Sequence, residues 1–172
     1  MKKGICLIIA ATIALGLSAQ RSLDFASKFM QKYKDSTFVT CITVSPKMME
    51  QIAKRTEQNK KEETGHIIQV ISKLKSARII TADNHCNDCY RTAESLLKRN
   101  RQRFGHSQSY NSEHAHGTFY TRKNKKGSII ELVMLHEDKK TDRLTIVNLT
   151  GNIDNEFMDG LIKAFGERGL KP

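Results

Sequence analysis

Two cysteines separated by two residues have the clearest chemical potential in this sequence. The segment His85–Cys89 reads His-Cys-Asn-Asp-Cys and begins a stretch with helical periodicity. A helix N-terminus favours the thiolate form of a cysteine, so Cys86 and Cys89 could be a thiol–disulfide redox pair. They could equally form a plain disulfide or lie buried as free thiols. They share one helical face with the apolar residues that follow, and the cis-proline strand partner of thioredoxins is not visible. A structural role is therefore the leading interpretation.

The same thiols could instead bind a metal together with histidines. His85 adjoins the first thiol, and His106, His114 and His116 follow in a polar segment. If that segment is extended, His114 and His116 lie on one side of it. Only the thiol pair has ligand-like spacing, whereas a zinc site would repeat such a pair at a defined distance. Metal binding therefore stays the alternative to a structural role.

A glutamate interrupts one of the apolar strand patterns. If Glu131 is buried, it could be a functional carboxylate with a raised pKa; the other interpretation is a surface or ion-paired side chain. Glycosidase chemistry needs a second carboxylate, which the sequence does not define. The chain also contains neither Gly-x-Ser-x-Gly nor His-Glu-x-x-His. The sequence thus leaves enzymatic activity open, favours a non-enzymatic role, and indicates no catalytic residue and no cofactor.

Basic residues exceed acidic ones by a wide margin. The 29 lysines and arginines against 18 acidic residues give a formal charge of +11. Such a charge favours anionic partners, although it can also serve only to keep a protein soluble. No tryptophan and few aromatic residues accompany the basic clusters, so stacking on sugars or bases has little support. The residues of these clusters that could form an anion-binding face are Arg99, Arg101, Arg103, Lys123, Lys125 and Lys126.

The N-terminus has the three parts of a secretory signal peptide. Lys2 and Lys3 precede an apolar run from Ile5 to Leu17, and small residues end at Ala19. Cleavage after residue 19 leaves 153 residues, the size of a single domain, with a charge of +9 and no transmembrane anchor. We therefore expect a periplasmic or secreted protein. Export disfavours nucleic acid as a partner and leaves an acidic polysaccharide, an anionic lipid surface or an envelope protein.

Helices and strands alternate in the first half of the predicted fold. An amphipathic helix over 23–33 buries Phe25 and Phe29, and residues 37–45 form an inner strand covered on both faces, with Cys41 buried in it. Ser45 and Pro46 start the next helix. Another helix begins at about residue 62, a short strand covers 77–81, and Asp83 or Asn84 caps a helix that continues to about Arg101.

Consecutive strands dominate the second half. Residues 104–117 are polar and loop-like, with at most one edge strand, and a three-stranded meander covers 118–122, 128–136 and 143–150. Asp154 then caps a final helix. The sequence therefore predicts one α+β domain over residues 20–172, with a mainly antiparallel sheet of about four to five strands and helices packed on it.

This layout resembles a known family. The segment FVTCITVSPKMM at 38–49 and the block IIELVMLHEDKKTDRLTIVNLTGNID at 129–154 are its most specific parts. Together with the signal peptide they resemble a domain-of-unknown-function family of small exported proteins from Gram-negative gut-type bacteria. The resemblance covers nearly the whole mature chain and implies an extracytoplasmic α+β protein. It implies no activity.

Two functions follow as hypotheses. The leading one is a non-enzymatic exported protein that binds an anionic ligand or a protein partner through its basic surface. The alternative is a metal- or thiol-dependent envelope enzyme that uses Cys86 and Cys89.

Overall fold

Helices and strands alternate in the first half of the chain, and four strands follow one another in the second. The computed structural model describes residues 24–57 and 70–168. The strands pair antiparallel in the order β1-β2-β6-β5-β4-β3 once numbered along the chain. The elements are α1 (Phe25–Lys32), β1 (Val39–Val44), α2 (Pro46–Glu57), β2 (Leu74–Asp83), α3 (Cys86–Arg99), β3 (Gly105–Asn111), β4 (Ala115–Lys123), β5 (Ile129–Asp138), β6 (Arg143–Ile153) and α4 (Asn155–Arg168).

The α+β class and the antiparallel sheet are as predicted, but the sheet has six strands instead of four to five. The additional strand is β3, in the polar segment that the sequence indicates as mostly loop. Its residues Gly-His-Ser-Gln-Ser-Tyr-Asn are largely exposed because β3 lies at one edge of the sheet. Because few side chains of this edge strand are buried, its sequence lacks the alternation of apolar and polar residues that would predict a strand. The meander strands are all present and longer than predicted.

The prediction of an inner strand at 37–45 is wrong. β1 forms the other edge of the sheet, and most of its side chains are exposed. Cys41, expected to be buried, is exposed, and Ile42 keeps 60% of its surface accessible. β-branched composition indicates extended backbone, but it does not distinguish an inner strand from an edge strand. β2 is also longer than the predicted 77–81, since it starts at Leu74 and follows helical residues 70–73 directly.

The helix ends are set by polar side chains near them. Asp24 caps α1 by accepting the Ser27 N–H, Ser45 Oγ accepts the Met48 N–H of α2, and Asp154 Oδ1 accepts the Phe157 N–H of α4. The predicted cap of α3 is wrong. Asp83 is the last residue of β2 and bonds Arg143, while Asn84 adopts a left-handed backbone with φ 62°. The N-cap residue of α3 is His85, whose side chain makes no capping hydrogen bond.

Each face of the sheet carries its own hydrophobic core. We call the side covered by α1 and α3 the first face and the side covered by α2 and α4 the second face. Phe25 and Phe29 of α1 pack on the first face with Leu97 of α3, as their spacing predicts. Met49 of α2 and Phe157 of α4 pack on the second face. Burying a large apolar side chain fully contributes about 1.5–3 kcal/mol, so these cores fix the helices on the sheet.

Two expectations lie outside the described residues. They are the signal peptide at 1–19 and the start of the helix at about residue 62. Within the part of the chain that the structure describes, no helix is long and apolar enough to cross a bilayer.

Candidate functional site

A row of polar side chains crosses four strands at one end of the first face. Glu131 of β5 lies opposite Arg122 of β4, and Asn148 of β6 lies opposite Arg78 of β2. Glu131 is fully buried; its Oε2 accepts from Arg122 Nε at 2.7 Å, and its Oε1 accepts from Asn148 Nδ2 at 3.1 Å. We call Arg78, Asn148, Glu131 and Arg122 the polar row. The carboxylate is thus both buried and ion-paired.

The polar row holds the N-terminus of α1. The N–H of Phe25 donates to Glu131 Oε1 at 3.0 Å, and the N–H of Ala26 donates to Asn148 Oδ1 at 3.1 Å. Arg78 reaches the cap residue Asp24 at 3.2 Å. The first N–H groups of a helix have no partner inside the helix, and a negative charge beside them is favourable. Both oxygens of Glu131 are therefore occupied by structural contacts.

Further along the same face, α3 leaves a half-open groove against β3 and β4. Its volume is about 540 Å³, within the range of small-ligand sites. The walls mix apolar and aromatic surface with basic, imidazole and hydroxyl groups. We call it the α3 groove, and it is lined by Glu94, Leu97, Lys98, Arg101, Phe104, Gly105, His106, Ser109, His116, Thr118 and Tyr120.

An irregularity in β3 brings two groove residues together. His106 pairs with Tyr120 and Gln108 pairs with Phe119, so β3 has one extra residue between these pairs. The bulge places His106 and Ser109 on one side of the strand, and His106 Nε2 lies 2.9 Å from Ser109 Oγ. In a regular strand, residues three apart point to opposite faces. Bulges of this kind re-aim side chains near functional sites.

Hydroxyl groups line the floor of the α3 groove. Ser109 Oγ donates to Thr118 Oγ1 at 3.3 Å, and the Tyr90 hydroxyl lies 2.8 Å from the same oxygen. Burial raises the pKa of Tyr90 to about 12, so its proton stays in place at neutral pH. His116 Nδ1 lies 3.7 Å from Glu137 Oε2, and its ring packs on Tyr90. The floor therefore offers hydrogen-bonding groups whose positions are fixed by neighbours.

Two cations border the α3 groove, and they differ in their partners. Lys98 Nζ lies 2.8 Å from Glu94 Oε2 one helical turn away. Arg101 pairs with no carboxylate among residues 24–57 and 70–168. A guanidinium can bind a carboxylate, phosphate or sulfate through two parallel hydrogen bonds. The groove thus presents an unpaired anion-binding group beside two imidazoles.

The other arginines predicted to bind anions lie elsewhere. Arg99 lies in a shallower cleft between α1 and α3, with Lys32 and Arg91. Arg103 lies over the Phe104 ring, with its guanidinium carbon 5.9 Å from the ring centroid. Lys123 ends β4, and Lys125 and Lys126 belong to the following turn; all three are exposed, and none lines the groove or the cleft. The structure therefore brings only Arg101 of the predicted cations into the groove.

The two cysteines of the Cys-x-x-Cys segment are free and buried. Both belong to α3 and face the core under it. Burial, with a contribution from the neighbouring Glu137 carboxylate, raises the pKa of the Cys86 thiol to about 12, and burial also raises the pKa of Cys89. The thiolate is the form that attacks disulfides and binds metals. The structure therefore gives the buried, unbridged alternative among those the sequence left open.

The histidines expected to complete a metal site do not gather around the thiols. His85 stacks on Phe38, His114 lies 3.8 Å from Glu113, and His116 faces the α3 groove. Among the described residues no three His, Cys, Asp or Glu side chains are grouped so that they could hold a metal ion.

Sequence reasoning missed several groove residues because their roles depend on pairing between strands. Tyr120, Thr118 and Ser109 have ordinary strand-type patterns, and the bulge that selects Ser109 leaves no compositional mark. Another imidazole, that of His136, shares a hydrogen bond with the Tyr110 hydroxyl on the second face. The sequence does signal His106, but only as one of several histidines in a polar segment.

Comparison with known proteins identifies a family. The model of a family described as a domain of unknown function (DUF4252) matches residues 33–161. No curated protein matches the chain. Two solved structures are similar. The vertebrate conserved region of human METTL16 is 11% identical, covering 77% of this chain and 94% of that chain with a TM-score of 0.29. The Saccharomyces cerevisiae Ran-binding protein Mog1p is 12% identical, covering 51% and 55% with a TM-score of 0.28. At these TM-scores neither structure supports an argument about function.

Proposed function

Because this chain belongs to the DUF4252 family, a domain of unknown function, we propose its function from its own groove: the protein binds an anionic ligand there and does not transform it. The unpaired Arg101 beside a groove of about 540 Å³ is the observation that carries this proposal. An exposed guanidinium in a concave site binds an anion with little desolvation of other charges. The imidazole rings of His106 and His116 supply further N–H donors.

The groove also suits a ligand with hydroxyl groups. Ser109 is exposed and can exchange hydrogen bonds with a polar ligand, while the largely buried Tyr120 and Phe104 contribute apolar edges to the base of the groove. An acidic sugar unit combines these features, since it has one carboxylate or sulfate, several hydroxyls and an apolar ring face. An acidic saccharide is therefore the ligand class that the groove fits best.

The alternative function as a metal- or thiol-dependent enzyme has no observation in its favour among the described residues. The thiols of Cys86 and Cys89 are buried and stay protonated at neutral pH. Glu131, the other residue with chemical potential, has both oxygens occupied by α1, Asn148 and Arg122. Cys86, Cys89 and Glu131, the residues with reactive side chains, therefore have structural roles.

The test is an NMR titration of the protein with glucuronate and, separately, inorganic sulfate. We expect shifts of the amide signals of His106, Ser109, His116 and Thr118. Arg101→Gln should weaken binding about tenfold or more, because a hydrogen bond to a charged group contributes about 1.5–3 kcal/mol. Lys125→Gln removes the same charge from a turn outside the groove and is the matched control. Equal weakening by both substitutions would mean that net charge, and no site, attracts the anion.

We also propose that the protein is exported after cleavage near Ala19, on the strength of the tripartite N-terminal sequence. N-terminal sequencing of the protein from cell fractions is the measurement. A pool that begins near Gln20 outside the cytoplasm is the expected result. Mature protein that still begins at Met1 would contradict it.

A further inference from the structure

A second cationic cleft lies on the other side of α3 from the groove. It has a volume of about 250 Å³ and lies between α1 and α3. No carboxylate lines it, and within the described residues Lys32, Arg91 and Arg99 have no ion pair. We call it the α1–α3 cleft, and it is lined by Lys32, Arg91, Thr92, Ser95, Leu96 and Arg99.

The outer surface of α3 connects the cleft with the groove. Arg91, Ser95 and Arg99 are four residues apart and form one row about 12 Å long on the helix. Lys98 follows Arg91 by seven residues, so it lies on nearly the same side of α3, and it also lines the groove. Cations therefore continue from the groove, across the exposed side of α3, into the cleft.

α3 carries three cations, Arg91, Lys98 and Arg99, against two carboxylates, Asp88 and Glu94. Arg91 and Arg99 are exposed, and among these α3 residues only Lys98 has a carboxylate partner, Glu94. Like charges repel even on exposed helix surfaces, although water and salt weaken the effect. A bound polyanion would neutralise them together, and a single small anion cannot reach both ends of a row about 12 Å long.

We propose that the α1–α3 cleft is a second anion subsite and that the ligand is a linear acidic oligosaccharide or polysaccharide crossing α3, with one anionic group in the cleft and another in the α3 groove. The bridging part of this inference rests on the proposed function of the groove. The cleft contributes Lys32, Arg91 and Arg99 for a sulfate or carboxylate, and the hydroxyls of Thr92 and Ser95 for the sugar. The outer row on α3 guides the chain between the two.

Two other polyanionic partners fit the surface less well. A membrane-binding helix combines basic residues with exposed apolar ones. The large exposed apolar side chains among the described residues are Ile42, Met48 and Ile79, which belong to β1, α2 and β2 and not to α3. Single-stranded nucleic acid stacks its bases on aromatic rings, and no aromatic residue lines the α1–α3 cleft. A soluble acidic saccharide needs neither feature.

The experiment measures affinity by calorimetry for heparin-derived saccharides of increasing length. A disaccharide can occupy one subsite, whereas a hexasaccharide can cross α3. We expect the hexasaccharide to bind at least tenfold more tightly than the disaccharide. Arg91→Gln with Arg99→Gln should remove most of this gain and leave disaccharide binding in the groove unchanged. Lys125→Gln with Lys126→Gln removes the same charge far from α3 and should keep the gain.

The outcomes separate the two proposals. If the disaccharide does not bind, or binds equally well to Arg101→Gln, the groove proposal fails. If the groove binds but length adds nothing, or the gain survives the cleft substitutions, the second subsite is refuted. Tighter binding to phosphatidylglycerol vesicles or to a single-stranded oligonucleotide than to the hexasaccharide would refute the saccharide assignment. Thermal melts of all variants should agree within a few degrees, because the substituted side chains are exposed.

Discussion

The polar row and the α3 groove lie on the same face of the sheet, yet their arginines have different surroundings. In the polar row, Arg122 binds the buried Glu131 carboxylate at 2.7 Å, and Asn148 binds both Glu131 and α1. In the groove, Arg101 has no carboxylate partner among the described residues and borders open space. An arginine with an internal carboxylate partner maintains the fold, whereas an arginine without one can bind an anionic ligand. The presence of a partner, more than residue type, distinguishes the two regions.

Breaking the polar row should have the largest effect on stability. Glu131→Leu removes the partner of Arg122 and leaves the N–H of Phe25 without its acceptor. Removing one member of a buried ion pair costs about 3 kcal/mol or more. Urea unfolding followed by circular dichroism measures the loss. Glu131→Gln keeps an acceptor oxygen and should cost less; a loss below about 1 kcal/mol for the leucine variant would show that the row is not a structural clamp.

Asn148→Ala should act more locally, at the N-terminus of α1. The substitution removes the acceptor of the Ala26 N–H and a donor to Glu131, with an expected cost of about 1–3 kcal/mol. Hydrogen exchange at the amides of α1 should accelerate more than exchange at β5. Thr145→Ala in the same strand, opposite Thr81 and His136 instead of a row residue, is the control. Uniform acceleration across the sheet would mean that Asn148 supports the whole core and not α1 in particular.

These contacts show where sequence reasoning succeeds and where it stops. The aromatic spacing of Phe25 and Phe29 predicted the buried side of α1, because helical periodicity depends only on the local chain. The sequence marks Glu131 as unusual, but its partner in α1 is 106 positions away, and its ion pair with Arg122 requires β4 and β5 to be neighbours. The sequence does not indicate a structural role for Asn148, because the partners of an asparagine in a strand can be identified only when the neighbouring strand is known.

The candidate site was even less accessible from sequence. Strand order decides that β3 lies beside β4 and β1 lies at an edge, and neither position follows from composition. The bulge that brings His106 to Ser109 exists only in the pairing of two strands. The sequence predicts that the basic segment containing Arg101 binds anions, but it predicts the same for the lysines at the end of β4 and in the turn that follows.

His136 is a partly buried histidine with an internal hydrogen-bond partner. Burial lowers the pKa of His136 below its ordinary value of 6.5, with the nearby Asp138 acting in the opposite direction. Its Nδ1 shares a hydrogen bond with the Tyr110 hydroxyl. The unfolded chain therefore binds a proton at this histidine more readily than the folded chain does. The contribution of His136 to stability is fully present above pH 6.5 and is lost as the pH falls through the lower folded-state pKa.

Urea midpoints from about pH 7.5 down to about pH 5 measure this dependence. His136→Gln keeps both an acceptor and a donor for the Tyr110 hydroxyl and cannot titrate, so the decline in stability below pH 6.5 should become shallower in this variant. Substituting His106 in the same way is the control, because that ring lies in the groove. A wild-type slope that His136→Gln leaves unchanged would assign the pH dependence to other groups.

Groove substitutions should have the smallest effect on stability. Arg101→Gln and Ser109→Ala change exposed side chains, and their free energies of unfolding should stay within about 0.5 kcal/mol of the wild type. Urea unfolding under the conditions used for the Glu131 variants gives a direct comparison. A loss of 2 kcal/mol or more for Arg101→Gln, of the order expected for a buried polar network, would place Arg101 with the structural residues.

The attachment of α1 also has a consequence for the order in which the chain matures. The N–H groups of Phe25 and Ala26 bond to side chains 106 and 122 positions later. At about 5–20 residues per second, a ribosome needs roughly 6 to 24 s to add the 122 residues between Ala26 and Asn148. Until Glu131 and then Asn148 are added, the acceptors of these two N–H groups do not yet exist. The N-terminus of α1 therefore gains its partners in β5 and β6 only late in synthesis, after β1 to β4 have been made.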